Sequence, residues 1–358
     1  MKYLMITSMR NEAPYILEWI AYHRSIGVDG FLVYSNDCDD GTDTLLDRLD
    51  EMGIITHVRN DKITNAGVQW TALKRADKHP MKAQAEWLLF ADIDEFVNIK
   101  VGNGHLDDLL CAVPSATAFA LMWQNFGNNG RIEIEDGLIL DQFTKCARFP
   151  CYAPLTGSMF KTLFKNDGSY EKLGVHRPKK RVEEDLSKIH WVNGSGKPLS
   201  KQYIDNAAFT YGPTGGIDLA CINHYSVKSA KAFLAKTLRG LPNRSDKQID
   251  LSYWVDRNFN QVEDVSIQRK NNDVQKLVDE WMLHSDIKAL HESGLNWHKQ
   301  TAEAVLQDTD GIRLFTRIVS LTRTDLHPRV AMGLGQLLIR GRQMAKAQRD
   351  AEKNKRSS

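Results

Sequence analysis

Apolar and polar positions alternate in short blocks over roughly the first quarter of the chain. Residues 3–7 form an apolar run of strand length. At 13–26, Ile16, Trp19, Ile20 and His23 fall at i, i+3, i+4 and i+7, the spacing of one helix face. Residues 31–34 predict a second strand. After the polar turn 35–41, Thr42 is placed to cap a helix carrying Leu45, Leu46, Leu49 and Met52, which Gly53 is placed to end. A third strand at 54–58, a third helix at 66–78 and a fourth strand at 87–91 continue the alternation. Strand and helix in strict turn predict a mostly parallel α/β sheet flanked by helices, with ligands gathering where strand ends open into loops.

The pattern then changes. From 114 to about 225 it becomes irregular and glycine-rich, with short strands expected at 119–123 and 131–134. Helical periodicity returns at 229–238, 274–283, 296–306 and 311–321. The chain therefore divides on paper into a first domain 1–240, with a regular α/β half 1–112 and an irregular half 113–240 of the kind that shapes an acceptor site. A helical extension 241–339 and a basic tail 340–358 follow. The tail carries Arg340, Arg342, Lys346, Arg349, Lys353, Lys355 and Arg356, and its expected role is either a solvated end or peripheral contact with anionic lipid.

Candidate chemistry concentrates at one strand end. Trp87 to Ala91 runs into Asp92-Ile93-Asp94-Glu95-Phe96, so two carboxylates one residue apart close a buried strand. Such a pair can hold a divalent cation against a diphosphate. The same Asp-x-Asp spacing recurs at Asp37-Cys38-Asp39 and Asp308-Thr309-Asp310, but only the middle copy follows a strand. A turn held by its own side chains is the competing explanation.

Composition narrows the setting. The chain has 358 residues, 42% of them hydrophobic, enough for a large core, and a net charge of +2 that gives no nucleic-acid footprint. Its five cysteines are scattered, with no CxxC pair and no zinc spacing, which suits a reduced, cytoplasmic compartment. The first residues are too short an apolar run for a signal peptide, and no stretch has the length of a membrane span.

Several blocks in order resemble the glycosyltransferase family 2 superfamily, in its family-2-like and family-92-like branch with the GT-A fold. Arg10-Asn11-Glu12 with Leu17-Glu18-Trp19 and Tyr22-His23 resembles the opening block. Ser35-Asn36-Asp37 and Asp39-Asp40-Gly41-Thr42 resemble the second, and Asp92-Ile93-Asp94-Glu95-Phe96 the metal motif. Later, Trp123 with Phe126-Gly127, and Asn223-His224-Tyr225-Ser226-Val227-Lys228-Ser229 with Phe233, Lys236 and Arg239-Gly240, resemble the closing blocks. The resemblance covers roughly residues 1–240.

What the resemblance implies is a Rossmann-like GT-A sheet and a metal-dependent, single-addition glycosyltransferase. Its donor would be a nucleotide sugar, UDP-linked, and its acceptor a glycan or other hydroxyl. Arg10, Asn11, Glu12, Asn36 and Asp37 would contact base and ribose, and Lys228, Lys236 and Arg239 phosphate oxygens. Asp92, Asp94 and His224 would ligate the metal, with imidazole favouring Mn²⁺ over Mg²⁺. Glu184 and Asp185, and also His176, are the candidates for the base an inverting transfer needs. No Gln-x-x-Arg-Trp block of processive synthases is present. The rivals are a phosphohydrolase using Asp92 as nucleophile and a nucleotide-sugar-binding protein without turnover.

Overall fold

The strands β1 (Tyr3–Met9), β2 (Gly30–Ser35), β3 (Thr56–Arg59) and β4 (Trp87–Phe90) lie parallel in the order β3-β2-β1-β4. The computed structural model describes residues 1–64, 67–209, 214–239, 249–307 and 309–321, with the isolated positions 328, 329, 332 and 343. Asp308, Gly240, the side chain of Arg239, and the segment 340–358 apart from position 343 lie outside the described residues.

Strand periodicity explains why helices cover both faces. Tyr3, Met5, Phe31, Val33 and Leu89 point into one core with Trp19 and Ile20 of α1 (Ile16–Ser25) and Leu45 and Leu49 of α2 (Thr42–Glu51). Their neighbours Leu4, Ile6, Leu32, Leu88 and Phe90 point the other way, against Ala72, Leu73 and Ala76 of α3 (Val68–Ala76). The period of two in the strands thus assigns each helix to a face.

Two details depart from expectation. The first helix opens with a separate 3-10 turn, Ala13–Tyr15, in which Pro14 supplies the fixed backbone angle that suits a helix start. Thr42 does not cap α2: its hydroxyl accepts from the Glu12 N–H at 2.7 Å, while Asp40 Oδ1 accepts from the Thr42 N–H at 2.9 Å. Gly53 does follow the helix in the left-handed region, with φ of 69°.

The later strands extend the same sheet. They are β5 (Glu95–Ile99), β6 (Ala118–Asn125), β7 (Phe160–Lys165), β8 (Trp191–Asn193) and β9 (Ala220–His224). The full order is β3-β2-β1-β4-β7-β6-β9-β5, with β8 also on β6. β7 runs antiparallel to β4 and β6, and β5 antiparallel to β9, so the sheet is mixed beyond its parallel first half. Every residue of β6 is buried, which hides the alternation that marks a one-sided strand.

The expected strand at 131–134 is absent. The Arg131 and Ile132 carbonyls instead accept the N–H groups of Ala230 and Lys231, at 3.2 and 2.9 Å, closing the first turn of α4 (Ala230–Arg239). Helix α5 (Asn271–Met282) packs on α1, α6 (Ser285–Val305) on α4, α2 and the 3-10 turn, and α7 (Thr309–Ser320) on α4. Among the described residues no helix is long and apolar enough to cross a membrane.

Candidate functional site

The turn between β4 and β5 is held from both ends. The Glu95 N–H donates to the Asp92 carbonyl at 3.0 Å, and the Asp92 N–H donates to Glu95 Oε2 at 3.0 Å. The two aspartates then face different partners. Asp92 accepts from Gln69 Nε2 of α3 at 2.8 Å and from Lys161 Nζ of β7 at 3.0 Å. Lys161 also reaches Glu95 Oε2 at 3.2 Å, and neither of those side chains is exposed. Burial pushes the Glu95 carboxyl up, with Lys161 opposing. Burial works against the Lys161 charge, but Asp92 and Glu95 outweigh it and hold the ammonium above its usual range.

Asp94 meets α4 and the end of β9. Lys236 Nζ donates to its Oδ2 at 2.8 Å and to the Ser226 carbonyl at 2.8 Å, and His224 Nε2 lies 3.5 Å from Oδ1. Burial opposes ionisation of Asp94, yet Lys236 and His224 together hold the carboxyl well below the usual carboxylate range. The His224 ring lies 4.3 Å from Trp123, its Nδ1 is buried with no hydrogen-bond partner, and burial lowers its proton affinity against the pull of Asp94. The structure therefore joins Asp94 to His224 and turns Asp92 toward Gln69 and Lys161. Among the described residues no group of three or more His, Cys, Asp or Glu side chains is gathered closely enough to hold a metal.

Beside this pair opens a narrow cleft, lined by Asn11, Glu12, Tyr15, Lys228, Lys236 and, from α6, Trp297 and His298. The Lys228 ammonium sits 4.1 Å over the Tyr15 ring, and burial, reinforced by Lys236, pushes its pKa down to about 7.

Arg10, Asn11, Asn36 and Asp37 meet where β1 and β2 end. Arg10 Nε donates to the Asp37 carbonyl at 3.0 Å, Asn11 Oδ1 accepts from the Asp39 N–H at 2.7 Å, and Asn36 Nδ2 donates to Asp37 Oδ2 at 3.0 Å. Five described non-glycine residues have left-handed backbone, and three of them are Asn11, Asp37 and Lys228. Asn11 and Lys228 line the cleft, and for Lys228 this backbone conformation is uncommon.

The base candidates are dispersed. Glu184 and Asp185 lie in an exposed segment, and Asp185 accepts from the Ser187 N–H and hydroxyl at 3.0 and 2.6 Å as a local cap. His176 is nearer, its ring 5.5 Å from the same Trp123 that touches His224. Burial, then the Lys161 charge, pushes its pKa down to about 3, so it is neutral.

Sequence reasoning did not single out Lys161, Gln69 or Trp297. A lysine inside the apolar strand Phe160-Lys161-Thr162-Leu163-Phe164 was the available signal, since a fully buried lysine requires a partner. Lys236, expected on phosphate, lies on Asp94.

The sequence model for glycosyltransferase family 92 matches residues 6–193, more than half of the chain. Among curated proteins, the chain is 33% identical over 134 residues to the glycosyltransferase family 92 protein Os08g0121900 of Oryza sativa, covering 36% of this chain and 22% of that protein. It is 32% identical over 93 residues to At1g27200 of Arabidopsis thaliana, of the same family, covering 25% of this chain and 15% of that protein. The match thus spans only about a fifth of these relatives' length. Among solved structures, S. aureus TarS 1-349 in complex with UDP overlaps with a TM-score of 0.32 at 13% identity, covering 92% of this chain and 95% of that one. The crystal structure of S. aureus TarS 1-349 gives 0.30, likewise at 13% identity, covering 86% and 92%.

Proposed function

This chain belongs to glycosyltransferase family 92, and from that membership we propose that it transfers a sugar from a nucleotide-sugar donor, UDP-linked, to a glycan or other hydroxyl acceptor, one addition at a time. The observation that carries the reading is the pairing of Asp94 with His224 beside a cleft that holds two lysines.

The donor set fits a divalent cation. Asp94 is a carboxylate held ionised, and the buried His224 turns Nε2 toward it at 3.5 Å, so these two side chains would hold the ion between them. Mn²⁺ suits a mixed carboxylate and imidazole site better than Mg²⁺ does. When bound, the cation would neutralise charge growing on the departing diphosphate.

The remaining roles fall to this chain's own side chains. Lys228 offers an ammonium to phosphate oxygens in a cleft where burial strengthens the attraction. Asn11 and Glu12 line the same cleft, and Arg10, Asn36 and Asp37 stand at the neighbouring strand ends, where ribose and base hydrogen-bond donors need acceptors. Asp92, fixed by Gln69 and Lys161, remains the second carboxylate candidate for the cation. Glu184, Asp185 and His176 remain the candidates for the acceptor's base. All five cysteines are free thiols, which agrees with a cytoplasmic setting.

The test is calorimetric titration of UDP with and without Mn²⁺ into the wild type and Asp94→Asn. Metal-dependent binding that the substitution weakens at least about tenfold supports the reading. Equal affinity in both proteins sinks the metal assignment.

A further inference from the structure

The family match ends at residue 193, yet one wall of the cleft comes from a helix about a hundred residues later. Gly294, His298 and Trp297 lie on one stretch of α6, and the first two fix the third. A Cβ added at Gly294 would fall 2.4 Å from Ala13 Cβ, so the helix backbone touches the 3-10 turn that carries Tyr15. One turn on, His298 Nε2 lies 3.0 Å from Asp40 Oδ2, a carboxylate that also accepts the Ala13 N–H at 2.9 Å. The His298 ring meets Tyr15 edge-on at 5.9 Å and Trp297 edge-on at 5.2 Å. A close backbone contact and a buried hydrogen bond thus set the helix in both height and rotation.

Trp297 is therefore presented by a docked helix rather than by a loop. Unlike Trp19, Trp191 and Trp254, which are fully buried, it is only partly covered, and it borders a cleft that it shares with Asn11, Glu12 and Lys228 as well as the apolar Val227, Ala232 and Ala235. A partly exposed indole in such a cleft can stack on a planar ring, and the Lys228 ammonium in the same cleft suits phosphate. A flat ring joined to a diphosphate is a nucleoside diphosphate.

We propose that Trp297 is a specificity-determining residue on which the donor's nucleobase stacks, so that α6 is part of the donor site. This rests on the nucleotide-sugar reading above and assigns that site a wall outside the family-matched segment.

The experiment compares inorganic pyrophosphate with UDP, CDP, ADP and GDP, titrated by calorimetry into the full chain with Mn²⁺. The wild type is expected to bind at least one nucleoside diphosphate about tenfold or more tighter than pyrophosphate. Trp297→Ala should remove that preference and leave pyrophosphate affinity unchanged, which also shows that the lysine side of the cleft is folded. Trp297→Phe keeps a ring and should retain most of the preference. An unchanged preference in Trp297→Ala, or its loss in Trp297→Phe, overturns the stacking role while the nucleotide-sugar reading stands. A wild type that binds no nucleoside diphosphate better than pyrophosphate overturns both.

Discussion

Lys161 Nζ lies 3.0 Å from Asp92 Oδ2, and none of the lysine side chain is exposed. The contact joins β7 to the turn after β4, with Glu95 as second partner. Removing one member of a buried ion cluster leaves the others uncompensated, at about 3–5 kcal/mol. Lys161→Met is therefore expected to destabilise the protein by that order in urea unfolding, although Met fills similar volume. A loss under 1 kcal/mol would show that the cluster is not held as described.

Asp94 and Lys236 make a second buried pair, at 2.8 Å. Asp94→Ala is expected to lose stability, because the buried Lys236 ammonium then keeps the Ser226 carbonyl and Tyr253 but no counter-charge. Asp94→Asn preserves shape and is the better probe. The folded-state pKa of Asp94 is depressed, so the pair stabilises fully above the unfolded value of about 4 and is lost as pH falls through the lower folded value. The acid limb of a stability–pH profile should accordingly flatten in Asp94→Asn.

Lys228 behaves in the opposite sense. Its folded pKa of about 7 lies below the unfolded value of about 10.4, so the unfolded chain binds more protons between them and stability rises with pH across that window. Lys228→Met should remove the rise. A diphosphate placed beside Lys228 would restore its charge, so UDP binding at pH 8 should take up a proton. Calorimetry in two buffers of different ionisation enthalpy reads this directly, and uptake should vanish in Lys228→Met.

Gly294→Ala reverses an ordinary rule. Inside a helix this change adds about 1 kcal/mol of stability by propensity. Here the new methyl meets Ala13 Cβ at 2.4 Å, and neither carbon can rotate away. The expected outcome is a loss of about 1–3 kcal/mol in thermal or urea unfolding. Ala13→Gly combined with Gly294→Ala should recover part of it, whereas Ala13→Gly alone should not stabilise.

Legibility in the sequence follows the range of the interactions. The first four strands and three helices were readable because a period of two or of 3.6 is a local property, visible in Ile16, Trp19 and Ile20 or in the run from Trp87 to Phe90. The acidic turn was readable for the same reason. Strand β6 was seen only in part, since burial on both faces removes its alternation, and Arg131 with Ile132 passed for a strand because capping a distant helix leaves no local mark. Lys161 and Trp297 owe their significance to partners far along the chain. The contact of α6 with Ala13 and Asp40 joins residues more than 250 positions apart, which no window of periodicity can report.

Strands β4 and β5 are consecutive in the chain but not in the sheet, where β7, β6 and β9 separate them. The acidic turn therefore bridges a gap that later segments must fill. During synthesis, Asp92 and Asp94 emerge long before Lys161, and Asp94 gains its imidazole neighbour only once residue 224 has left the ribosome. Nascent fragments ending before β9 would lack the antiparallel neighbour of β5 and the His224 and Lys236 partners of Asp94. Assembly of the site and closure of the sheet therefore wait on the same late segments.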